Sequence, residues 1–317
     1  MPIKPTSPEA ARGISRRSFC QSTAAIAALT VGAFPLTSVQ AQTRVIGAAS
    51  ITTFSDGLMT VPTEMLFDAK ANPSLKPLLD QSGMGEGQAK RPLNITLVDM
   101  GDRRILFDAG SGPNFLPGLG ELPNELDAAG IALDSITDVV FTHAHPDHIW
   151  GVIDDFDELA MPEAQFYMPD REWDFWDSDD ALAAMPAGRE AFAVGAKTRF
   201  DAMRDQVAMI AYGEEIIPGI EVVDSRGHTP GHAAFAVHTG DQAVMVVGDA
   251  LTHPLISFQH PDAENKSDMN TAEAAASRAR LLDRLVADDM MLIGYHLPAP
   301  GFGRVERQGN AYHYLQQ

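Results

Sequence analysis

The chain has 317 residues, a formal charge of −20 at pH 7 and one cysteine. So large an excess of carboxylates argues against bulk electrostatic binding to nucleic acid or anionic lipid. A lone cysteine excludes an intrachain disulfide and leaves His, Asp and Glu as the residue types able to hold a metal.

Ser15-Arg16-Arg17-Ser18-Phe19 is a twin-arginine pattern. An uncharged, Ala-rich stretch follows from Gln21 to about Leu36, and Val39-Gln40-Ala41 is a small-x-small site of the kind a signal peptidase cuts. Residues 1–41 are therefore expected to be an export signal handled by the twin-arginine machinery. Residues 42–317 are then a single large domain, delivered to the periplasm or secreted. The apolar run is too short, and too interrupted by Ser, Thr and Gly, to span a bilayer. The residues ahead of Cys20 do not resemble a lipoprotein box, so no stable membrane anchor is expected. Cys20 lies inside the signal, which leaves the mature chain without cysteine.

Residues 92–99 and 103–108 read as a β-hairpin. Leu116 to Ala129 reads as a helix ending at Gly130, and Ile136 to Phe141 as a short buried strand. Ala164 to Met168 is a further strand, with a helix from Asp170 through Trp176 and a mostly helical stretch from Ala181 to Val207. Ile220 to Val223 is a strand. Ala233 to Val237 and Ala243 to Val247 form a second hairpin. Thr271 to Val286 is the clearest helix, rich in Ala, Arg and Leu, and Met291 to Gly294 is a final strand. Antiparallel hairpins with helices between them predict two packed sheets with helices outside.

Four apolar strands run into chemistry-bearing residues: His143-Ala144-His145-Pro146-Asp147-His148, Gly227-His228-Thr229-Pro230-Gly231-His232, Gly248-Asp249 and Tyr295-His296. Loops at strand ends are where a rigid scaffold presents reactive groups. An H-x-H pair on extended backbone points both imidazoles the same way. Asp147 and His148, just beyond it, can face a second ion nearby.

The H-x-H-x-D-H pattern, followed by His, Asp and His at later strand ends, resembles the metallo-β-lactamase superfamily. The resemblance implies an α+β fold, the four-layer αβ/βα sandwich, with a dinuclear site between its sheets. Carried over residue by residue, His143, His145 and His228 hold one ion, Asp147, His148 and His296 hold the other, and Asp249 bridges them. Asp147 and Asp249 also orient a hydroxide formed from water shared by the two divalent ions. Zn leads the candidates for those ions, followed by Mn, Fe and Co.

Further segments look like the methyl parathion hydrolase branch, which lies near quorum-quenching lactonases. They include Phe107-Asp-Ala-Gly-Ser-Gly, Leu116-Pro-Gly-Leu-Gly, Arg171-Glu-Trp-Asp-Phe-Trp and His296-Leu-Pro-Ala-Pro-Gly. What this implies is an exported hydrolase of small-molecule esters, with lactones or aryl esters first and organophosphate triesters as a further class. The branch also allows a homodimer. The alternative from another class is a non-hydrolytic metal-binding or redox protein on the same scaffold. Against it, no ligand position is lost and no flavodoxin-like segment follows. Where the family usually has Gly-Gly after the motif, this chain has Trp150-Gly151, so Trp150 is expected to crowd the surroundings of the ligands.

Phe115, Trp173 and Trp176 are candidates for an aromatic substrate wall, although cores use the same residue types. Asp108 and His232 are expected behind the ligands, supporting them by hydrogen bonds. His253 and His260 belong either to the cleft or to the surface.

Overall fold

The computed structural model describes residue 1, residues 41–85 and residues 87–317. The expected export signal therefore lies outside the described residues, apart from its two end positions. Among the described residues no helix is long and apolar enough to cross a membrane.

The first sheet is built from β1 (Gln42–Ile46), β2 (Ala49–Pro62), β3 (Gln88–Asp99), β4 (Arg104–Phe107), β5 (Asp138–Val140), β6 (Gln165–Pro169) and β7 (Val207–Ile210), bonded side by side in that order. The second contains β8 (Glu215–Ile217), β9 (Ile220–Asp224), β10 (Ala233–His238), β11 (Ala243–Val246), β12 (Met291–Ile293), β13 (Phe302–Gln308) and β14 (Ala311–Gln316), also in sequential order. The helices are α1 (Lys76–Gln81), α2 (Leu122–Ala128), α3 (Pro146–Ile149), α4 (Asp170–Trp176), α5 (Asp179–Ala184), α6 (Glu190–Met203), α7 (Ile256–Gln259) and α8 (Thr271–Ala287).

Strand alternation sets the layers. Successive side chains of a strand point to opposite faces. In β4, Ile105 and Phe107 enter the core between the sheets, while Leu106 enters the core under the helices. In β10, Phe235 and Val237 meet the first sheet, and Ala234 and Ala236 turn outward. Phe107 and Phe235 touch across the middle, with ring centroids 5.5 Å apart. The outer face of the first sheet is covered by α2, α4 and α6, through Leu126, Trp176 and Phe200. That of the second is covered by α7 and α8, through Phe258, Leu281 and Leu285. The result is helix, sheet, sheet, helix: the four-layer α+β sandwich. The α8 helix opens on Asn270, whose side chain accepts from the Glu273 N–H at 3.2 Å and caps a donor that has no partner inside the helix.

Several expectations needed correction. The first sheet is not all hairpins: β4, β5, β6 and β7 run parallel, because helical crossovers separate them. The helix expected from Leu116 begins only at Leu122, since Pro117, Gly118 and Gly120 hold the preceding stretch in turns. The stretch from Ala181 to Val207 is broken around Pro186 into α5 and α6, and Val207 opens a strand.

Candidate metal centre

Each sequence-predicted ligand follows a central strand. His143 and His145 lie just after β5. Asp147 and His148 sit in the single turn of α3, which Pro146 opens at a position where its missing N–H costs nothing. His228 lies between β9 and β10, Asp249 in a 3₁₀ turn after β11, and His296 after β12. The two sheets bring these residues together. His143, His145 and His228 form one group, Asp147, His148 and His296 a second, and Asp249 joins His143 and His148 in a third. Within each group the ligating atoms lie within 4.8 Å of one another.

The atomic contacts show where an ion would fit. His143 Nε2 and His228 Nε2 both approach His145 Nδ1, at 2.9 and 3.0 Å. Asp249 reaches both sides: its Oδ1 is 3.3 Å from His148 Nε2, and its Oδ2 is 3.3 Å from His296 Nε2 and 3.4 Å from His228 Nε2. His296 Nε2 is also 3.2 Å from Asp147 Oδ2. Yet His148 Nε2, His296 Nε2 and Asp249 Oδ1 are buried without a hydrogen-bond partner. A buried polar atom left unpaired costs about 1–3 kcal/mol. Three at one point are explained by a cation that takes their lone pairs, so the residues fit divalent ions.

The opposite ring nitrogens are tied down. Thr142 Oγ1 lies 3.0 Å from His143 Nδ1, Asp108 Oδ2 2.8 Å from His148 Nδ1, Asp268 Oδ1 3.1 Å from His228 Nδ1, and the Pro92 carbonyl 2.9 Å from His296 Nδ1. These partners hold a proton on Nδ1 and leave Nε2 free as a ligand. Asp108 does this from a left-handed backbone, φ 65°, unusual for a residue other than glycine. Its other oxygen accepts from the Thr142 N–H at 2.8 Å, fixing the start of the motif loop. Burial first, then the neighbouring histidines, hold His143 and His145 well below their ordinary pKa, so both are neutral as ligands must be. Burial alone would raise the Asp147 carboxyl, but His148 and His296 hold it below the usual range.

His232 stands behind the ligands. Its Nε2 accepts from the Asp249 backbone N–H at 3.0 Å, so Nδ1 carries the proton and donates to Ser225 Oγ at 2.8 Å. Burial, then His228, pushes its pKa down to about 3, which keeps that acceptor available. Tyr295 lies on His148 with ring centroids 3.8 Å apart and donates to the Asp147 carbonyl, holding α3 in place.

Two supporting carboxylates were not expected in that role, although Glu172 stands in the Arg171-Glu-Trp-Asp-Phe-Trp segment. Glu172 of α4 is fully buried. Its Oε1 accepts from the Ala144 N–H at 2.9 Å and Trp176 Nε1 at 2.7 Å, and its Oε2 from Thr229 Oγ1 at 2.7 Å and the Gly231 N–H at 2.9 Å. It thereby fastens both histidine loops to one helix. A Cβ at Gly231 would collide with the Glu172 backbone, so only glycine permits the approach. Asp268, the partner of His228, is itself held by Arg278 Nη1 at 2.8 Å.

The ligands form the floor of a cavity of about 350 Å³, lined by His145, Asp147, His228 and Asp249. Met59, Val61, Leu66, Phe115 and Phe192 supply apolar walls. Of the three aromatic candidates only Phe115 lines it. Trp173 stacks on Phe200 in the core at 4.1 Å, and Trp176 lies behind His145, bonded to Glu172. Trp150 packs beneath Arg199 at 4.7 Å and against Phe115, in space left by Gly195 of α6.

His253 is also away from the cavity floor. Its Nδ1 accepts from the Leu255 and Ile256 N–H groups, at 3.1 and 3.0 Å, at the start of α7. Burial lowers its pKa from 6.5 to about 4. The unfolded chain thus binds the proton first, so this contribution to stability is complete above pH 6.5 and is lost as pH falls toward 4. Urea unfolding at pH 7 and pH 5 is expected to show a fall in stability about 2 kcal/mol smaller in His253→Gln than in the parent. Equal falls in the two proteins would show that His253 does not titrate this way.

Residues 90–296 match the family model described as the metallo-β-lactamase superfamily. No curated protein matches the chain in sequence. Among solved structures, the chain is similar to AidC, a dizinc quorum-quenching lactonase determined with a product bound. The identity is 26% and the TM-score 0.80, over 88% of this chain and 97% of that one. It is also similar to the hydrolase AbOPH of the β-lactamase superfamily, at 23% identity and a TM-score of 0.79 over 88% and 97% of the two chains. A probable metal-dependent hydrolase from Staphylococcus aureus shares 18% identity and a TM-score of 0.71, over 86% and 99%. With its two sequentially wound sheets and its converging histidines and aspartates, the chain belongs to the metallo-β-lactamase superfamily.

Proposed function

We propose that the protein is an exported hydrolase that holds two divalent metal ions, zinc first, and cleaves small-molecule carboxylic esters, lactones above all. The carrying observation is that four of the seven clustered His and Asp residues form the floor of an apolar-walled cavity. The likeness to a dizinc lactonase supports the lactone reading. The segments resembling methyl parathion hydrolase add phosphotriesters as a second class. The twin-arginine pattern and the Val39-Gln40-Ala41 site support delivery to the periplasm or beyond.

His143, His145 and His228 would hold one ion, Asp147, His148 and His296 the other, and Asp249 both. Bound there, the ions lower the pKa of a water toward about 7 and polarise the oxygen of the scissile group. The chain supplies the rest. Asp147 and Asp249 are the carboxylates lining the cavity, placed to orient the attacking water. Phe115, Phe192 and Met59 give an acyl chain an apolar surface and exclude bulk water. Asp108, Asp268 and the Pro92 carbonyl keep the imidazoles in one tautomer while charge moves nearby.

The test is a panel of homoserine lactones, aromatic lactones, aryl esters, paraoxon-type triesters and a β-lactam, each read as kcat/KM. Metal content is measured on the same protein. A lactone or aryl ester is expected to exceed the triesters and the β-lactam by at least about tenfold. Metal-free activity, or turnover of the β-lactam alone, would overturn the reading.

A further inference from the structure

Arg91 is a buried cation at the cavity that none of the preceding roles uses. It lies on β3 opposite Met59 of β2, where the long β2–β3 pair forms one wall of the cavity. Only 6% of its surface is exposed. Among the described residues its single hydrogen-bond partner is Asp249, with Nη2 to Oδ2 at 3.3 Å. A guanidinium carries five N–H donors in a planar fork. Asp249 occupies one of them through Oδ2, the same oxygen that faces His228 and His296, while its Oδ1 faces His148. The other donors belong to a cation that lines the cavity within one carboxylate's width of the metal ligands.

Burying a cation with so little pairing is costly. In a chain with 43 acidic residues, a second carboxylate partner would be easy to supply, and among the described residues none pairs with Arg91. The cost is repaid where a ligand brings the missing acceptors. Hydrolysis of an ester supplies them. One water adds across the acyl–oxygen bond: its oxygen joins the acyl carbon, the bond to the alkoxy oxygen breaks, and that oxygen leaves as an alcohol with one proton. A carboxylate and one further proton remain at neutral pH. Negative charge therefore builds on the acyl oxygen and stays on the product. A carboxylate is planar and fits the guanidinium fork through two parallel hydrogen bonds.

We propose that Arg91 is a catalytic residue of this site, donating to the acyl oxygen as it becomes negative and then holding the carboxylate product. The proposal deepens the hydrolase reading and rests on it for the identity of the reaction. Arg91 would also make the cavity select substrates whose cleavage leaves a carboxylate beside the metal ligands. Arg189, half-buried at the same cavity and close to the Phe192 ring, adds a second cation near the wall.

The test uses zinc-loaded, full-length protein with Arg91→Met and Arg91→Lys. Metal content, thermal midpoint, kcat, KM and calorimetric binding of hexanoate are measured for each. Arg91→Met is expected to keep both ions and its midpoint, to bind hexanoate at least about tenfold more weakly, and to lose roughly 10²–10³-fold in kcat with a smaller change in KM. Arg91→Lys should fall between, because an ammonium offers charge without the fork. Loss of an ion in Arg91→Met would make the residue a prop for Asp249 and overturn the proposal, as would unchanged hexanoate affinity. If the parent turns over no ester or lactone while Arg91→Met still weakens hexanoate binding, the hydrolase reading fails and the anion site stands.

Discussion

Asp249→Ala is expected to reduce the bound metal from two ions per chain to one or none and to lower turnover by roughly 10³-fold or more. Asp249 is the residue whose carboxylate faces both groups of candidate ligands, at 3.4 Å from His228 Nε2 on one side and 3.3 Å from His148 Nε2 and His296 Nε2 on the other. Its side chain is 3% exposed and sits among imidazoles, outside the apolar clusters that hold the sheets together. Truncation therefore removes a metal ligand while leaving the core intact. Near-ultraviolet circular dichroism should match the parent, and elemental analysis should show the missing ion. A folded Asp249→Ala protein with two ions and full turnover would refute the assignment of this carboxylate.

Glu172→Gln is expected to damage the site from a distance. The substitution keeps the volume but turns one acceptor oxygen into a donor. Either the Ala144 and Trp176 N–H groups or the Thr229 hydroxyl and Gly231 N–H must then face an amide NH₂. With the amide NH₂ toward Thr229, whose hydroxyl can turn to accept from it, the buried Gly231 N–H still loses its acceptor, at about 1–3 kcal/mol. Both loops that carry histidines shift relative to α4. Supporting residues of this kind typically govern metal affinity by 10–100-fold. The expected result is a stability loss of about 1–3 kcal/mol and a zinc dissociation constant raised by one to two orders of magnitude. Competition with a chelator and urea unfolding measure the two effects. Parental affinity in a destabilised protein would limit Glu172 to a folding role.

The cluster of candidate ligands was legible because its chemistry is local. Three histidines and an aspartate within six residues, then single His and Asp residues at strand ends, announce themselves without a fold. Of their supports, Asp108 and His232 stood beside the motifs and were legible, but Glu172 and Asp268 were not. Glu172 meets Ala144 and Gly231 only after α4 docks on two loops far away in sequence, and Asp268 meets His228 from the segment ahead of α8. Arg91 stood just ahead of the strand read at residues 92–99 and gave no sign of reaching Asp249. The aromatic wall was misjudged where helical geometry was informative. Trp173 and Trp176 are three residues apart, so α4 turns both to the same buried face, whereas Phe115 lies in a loop at the cavity. Among the strands, β1, β2, β7, β8, β13 and β14 escaped notice; polar residues interrupt β2 and β13, and β2 also changes register between Ser55 and Leu58. The parallel half of the first sheet was hidden by crossovers, which sequence periodicity does not orient.

The sequential winding of the two sheets has a consequence beyond catalysis. His143, His145, Asp147 and His148 belong to the first sheet's half of the chain, and His228, Asp249 and His296 to the second. An ion held by His145 and His228 would join positions 83 residues apart. The only cysteine is Cys20, so no disulfide is available to make such a connection. The metal ions would serve as the chain's cross-links: closing long loops restricts the unfolded ensemble most, and the binding free energy of the ions would tighten the docking of one half on the other.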